Sequence, residues 1–123
     1  MLRDHFNWVL WVTGAVTTVG PLLQFIAPRQ ALKRLYQIEL SDDAGLLFAR
    51  HWGLVAAVIG ASLLYAAGHE AVRPVVVAAA LVEKAGLVGL IALEGGQPFA
   101  KGLRGAAAFD AVCVLLYSGW FLS

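Results

Sequence analysis

The chain has 123 residues, 60% hydrophobic and only 14% charged, and its mean hydropathy is +0.76. A domain this small has no interior that could hide so much apolar surface, so lipid rather than water is the expected main solvent. A net charge of +1 without a basic stripe excludes nucleic acid as an expected partner, and one cysteine, Cys113, excludes an internal disulfide or a zinc-type spacing.

Crossing a hydrocarbon core of roughly 30 Å takes about 20 helical residues. The first apolar run that long is 8–26, and it is expected to stay as a span rather than be removed as a leader. Thr13, Thr17, Gly20 and Gln24 form a polar file along it, and Pro21 is expected to kink it. In the segment that follows, QALKRLYQIEL, the residues Ala31, Leu32, Leu35, Tyr36 and Ile38 fall on one side of a helix. Lys33, Arg34 and Gln37 fall opposite. This predicts a short amphipathic helix in the headgroup layer, ending before Glu39.

Ser41 is the expected cap of the next helix, with Asp42 and Asp43 at the positive end of its dipole. The second span is 46–67. His51, Val58, Ser62 and Tyr65 share one face, with Arg50 about 100° round from His51. Ala49, Gly53, Ala57 and Gly60 give the spacing of small residues that lets helices approach closely.

The third span, 74–93, opens with Pro74 in its first turn and follows Gly68, an expected left-handed cap, as are Gly95 and Gly96 at its far end. Its polar file is Ala79, Glu83, Gly86 and Leu90, with Lys84 beside it, and Gly86 and Gly89 are expected to pack against a neighbour. The fourth span, 105–122, carries Ala106, Asp110, Cys113, Tyr117 and Trp120. Trp8, Trp11, Trp52 and Trp120 lie near span ends, as interface anchors do, and Trp52 could equally line a pocket beside His51. The expected fold is thus all-α: one domain, residues 1–123, an integral membrane bundle of four transmembrane helices with a short interfacial helix between spans 1 and 2.

Arg29, Lys33, Arg34, Arg50, Lys101 and Arg104 lie at one end of this topology and Arg3 and Arg73 at the other. The bias predicts an inner-membrane protein with both loops cytoplasmic and both termini periplasmic.

A lone charge at mid-span costs roughly 2.5–3.5 kcal/mol, so Glu83, Lys84 and Asp110 need partners, and one of Glu83 and Lys84 must find its partner on another helix. The expected pairs are Asp110 with Arg50, and Glu83 with His51 or Lys84. Two uses follow. Buried pairs can fix helix register, or they can line a pocket in which Glu83, Asp110 and His51 are candidate acid–base groups. Arg50, Trp52, Lys84, Gln24, Ser62, Tyr65 and Tyr117 are then candidate binding residues. Nothing in the spacing of His5, His51 and His69 supports a metal, and no cofactor is identifiable.

The stretches RHWGLVAAVIGASLLYAAG and RPVVVAAALVEKAGLVGLI, with a last span holding one acidic residue, resemble small four-helix bacterial inner-membrane proteins, broadly DoxX-like. The resemblance implies the four-span fold and no particular chemistry. Three functions remain open: a binder of membrane lipid or a hydrophobic small molecule, or an accessory subunit in a homodimer or larger membrane complex; an isomerase- or cyclase-like membrane enzyme; and a proton-coupled transporter.

Overall fold

The computed structural model describes residues 3–94 and 96–123, and these are helical almost throughout. Helix α1 is Phe6–Ile26, α2 Pro28–Tyr36, α3 Asp43–Ala67, α4 Arg73–Glu94 and α5 Arg104–Leu122. Four of them, α1, α3, α4 and α5, are long and apolar enough to cross a membrane. In each, only 17–33% of the apolar stretch is buried by the rest of the chain. The outward surface is therefore greasy: Val75, Phe48 and Leu115 are 75%, 73% and 73% exposed.

Helix α1 continues through Pro21, although proline removes the N–H that the Thr17 carbonyl would have taken. It lies against α3 at backbone distance. A Cβ on Gly53 would stand 2.6 Å from the Pro21 carbonyl oxygen, and one on Gly60 would strike Thr18. The small residues of α3 thus do what their spacing predicts. Those of α4 do not: Gly86 and Gly89 face outward with nothing within 4 Å. The buried face of α4 is instead Arg73, Val77, Ala80 and Lys84.

The helix ends also depart from expectation. Asp42, not Ser41, caps α3, its carboxylate accepting from the Gly45 N–H at 2.7 Å. Gly68 ends α3 in an ordinary right-handed conformation (φ −100°), its N–H and that of His69 turning back to the Tyr65 and Ala66 carbonyls, and Arg73 adds to this capping. The Arg73 Nε donates to the Ala66 carbonyl at 2.8 Å and Nη2 to that of Ala67 at 2.6 Å, adding donors at carbonyls of the last turn of the helix. Gly96 is not left-handed either, and Gly95 lies outside the described residues. Among the described residues only Gln37, which ends α2, has positive φ (53°).

The two ends of the bundle are packed differently. Phe6, Leu10, Leu63, Ala66, Val77, Ala80, Cys113, Tyr117 and Trp120 make a dry core at the end where α1 and α4 begin and α3 and α5 finish. Trp120 stacks on Phe6 (5.0 Å, 9°), so it is a core residue and not an interface anchor. Trp8 and Trp11 are exposed, as anchors would be. At the opposite end a gap lies between the long helices, and α2 and the 3₁₀ turn Pro98–Leu103 border it and touch each other. Gly102 lies so close to the Tyr36 carbonyl that any side chain there would collide with it.

Candidate functional site

That gap is a partly open cavity of about 370 Å³ at the Lys/Arg-rich end of the bundle. All four long helices and α2 contribute to it. Thr17, Gly20 and Pro21 come from α1, Leu35 and Tyr36 from α2, and Trp52 and Ala56 from α3. Glu83, Lys84 and Leu87 come from α4, and Ala106, Phe109 and Asp110 from α5.

Lys84 is its organising group. The side chain is 1% exposed, because it extends across the bundle from the inward face of α4. Nζ donates to Asp110 Oδ1 at 3.0 Å and to Thr17 Oγ1 at 2.9 Å, and stands 4.8 Å from the centre of the Phe109 ring. Three helices are tied together by one ammonium. The two directed bonds and the ring face account for what an ammonium can donate.

The pairings expected for these groups are corrected accordingly. Asp110 pairs with Lys84 and not with Arg50. The Arg50 side chain is exposed at the α1–α3 seam, its Nε donating to the Phe25 carbonyl at 3.1 Å and its guanidinium lying over the Phe25 ring at 5.3 Å. It serves the last turn of α1, where free carbonyls are nearest. Glu83 pairs with neither His51 nor Lys84. His51 is exposed on the outer face of α3. Glu83 is half-buried and lines the cavity, and its Oε2 is fully buried with no hydrogen-bond partner among the described residues. Neighbours on one helix point about 100° apart, so the Lys84 that turns inward to Asp110 cannot also serve Glu83.

The other candidates divide by location. Trp52 lines the cavity and stacks on Tyr36 at 5.8 Å, making an aromatic wall. Gln24 is fully buried but holds α1 to α3, its Nε2 donating to the Ala49 carbonyl at 2.6 Å. Tyr117 belongs to the dry core. Thr13 spends its hydroxyl hydrogen on the Val9 carbonyl at 2.7 Å, so Tyr117 is the donor in their shared 2.6 Å bond. Ser62 donates to the Val58 carbonyl of its own helix, and Tyr65 stacks outward on His69 at 3.9 Å. The file His51, Val58, Ser62, Tyr65 therefore faces away from the bundle. Its hydroxyl finds a local acceptor, so nothing draws it inward.

Tyr36, Phe109 and Thr17 line the cavity and were not among the site candidates. Tyr36 had a signal, since it sits on the apolar side of the amphipathic 30–40 segment. Thr17 had one too, in the α1 polar file. Phe109 had none beyond being next to Asp110. Burial, and secondarily the Asp110 charge, pushes the Tyr36 phenol above its ordinary value, so it stays a neutral donor.

No protein-family model, curated protein or solved structure matches the chain.

Proposed function

We propose that the chain is a four-span inner-membrane protein whose cytoplasmic-side cavity binds a hydrophobic small molecule or lipid. The carrying observation is the cavity itself: mostly apolar walls around a few convergent polar groups, at the end of the bundle where packing is open. The Lys/Arg bias favours placing that end in the cytoplasm, with both termini periplasmic and α2 in the headgroup layer.

One feature favours a second reading, a membrane-embedded acid–base enzyme. Glu83 Oε2 is unengaged beside an ion pair that is already satisfied, as a carboxyl that exchanges protons with a bound molecule would be.

Native mass spectrometry after mild extraction tests the binding reading. A small apolar molecule should travel with the protein and be absent from Ala106→Phe, which fills the cavity. Ligand-free protein that also ignores added apolar molecules would refute it.

A further inference from the structure

We infer that the cavity takes amphipathic cations: molecules with an ammonium group on an apolar body, the ammonium seated at Glu83. The inference rests on the binding reading above and adds the chemistry of the head group.

Two carboxyl groups, Glu83 and Asp110, and one ammonium, Lys84, are the charged side chains that line the cavity among the described residues. Lys84 is committed to Asp110, Thr17 and the Phe109 ring. One carboxyl oxygen, Glu83 Oε2, is left buried without a donor. A buried acceptor in that condition is costly until something donates to it, and a positively charged donor gives the strongest bond. In the same cavity the stacked Tyr36–Trp52 pair offers aromatic surface, which favours a cation over a neutral group. Leu35, Leu87 and Ala56 leave room for an alkyl or aryl body. An anionic head would meet Glu83 with like charge and find Lys84 already occupied. A neutral head would satisfy Oε2 with a weaker bond.

Octylammonium, octanol and octanoate share one chain and differ in head charge. Each is titrated into the protein in micelles of an uncharged detergent, with tryptophan fluorescence as the readout and Trp52→Phe as background. Octylammonium should saturate the signal at a concentration about ten-fold below that of the other two, the size of one charge-assisted contact. Glu83→Gln should erase that preference, and Glu83→Asp should keep it. If Glu83→Gln is not recovered folded, the order of the three heads on the unaltered protein still decides. Equal binding of all three, unchanged in Glu83→Gln, would overturn the cation inference and leave the apolar pocket standing. Binding of none would overturn both. Adding phosphatidylethanolamine or phosphatidylglycerol separates the sources: competition by the first alone assigns the site to a lipid headgroup, and competition by neither assigns it to a free amine.

Discussion

Lys84 and Glu83 are adjacent in sequence and opposite in circumstance. Lys84 reaches across the bundle and meets Thr17 and Asp110 within hydrogen-bonding distance, while Glu83 Oε2 has no hydrogen-bond partner among the described residues. Removing one member of a buried pair leaves the other uncompensated, so Asp110→Asn is expected to lower stability by about 3 kcal/mol. Replacing both by apolar residues, Lys84→Met with Asp110→Leu, should recover most of that loss. Equilibrium unfolding in mixed detergent micelles measures all three variants. If the double variant is no better than Asp110→Asn, the pair supplies net stability and does more than neutralise its own burial cost. That Lys84 needed a partner was legible in the sequence. Which carboxylate supplied it was not, since the direction in which each side chain leaves α4 depends on how that helix is rotated in the bundle.

At the scale of helices, glycine decides which surfaces touch. Gly53 and Gly60 bring the α3 backbone onto α1, whereas Gly86 and Gly89 face open space. Gly60→Val should therefore drive α1 and α3 apart, at a cost of about 3 kcal/mol or more, because Thr18 and its backbone cannot retreat. Gly86→Ala should be neutral or stabilising by up to about 1 kcal/mol, since an exposed helical glycine is only a conformational liability. Thermal unfolding of the two variants in detergent compares them directly. Small residues recur at one-turn intervals in both helices, so the pattern alone did not separate a contact face from an outer one. Arg73 makes a related point. Its place at the start of α4 gave no hint that it would cap α3, because the two helices meet there only after the chain has turned at Gly68.

For the whole molecule, one end is filled by aromatic and aliphatic side chains and the other is left open around charge. The greasy exterior and the placing of Lys and Arg together predict the orientation. Alkaline phosphatase fused after Ser123 should be active, and fused after Lys101 inactive, with green fluorescent protein giving the reverse pattern. The opposite result would place the cavity mouth outside the cell and remove the topology proposed above.

Residue order alone determined the four long helices, their limits to within a few residues, the short helix between the first two, and the inward file Asp110, Cys113, Tyr117 and Trp120 on α5. These follow from local periodicity and from the length an apolar run must reach, both of which are written along the chain. Only the tertiary structure decided that Lys84 holds Asp110, that Arg50 and His51 stay outside, and that Tyr36 lines the same cavity as Glu83. Each of those depends on the rotation of a whole helix about its axis, and close backbone packing sets that rotation before any single charge can choose its partner.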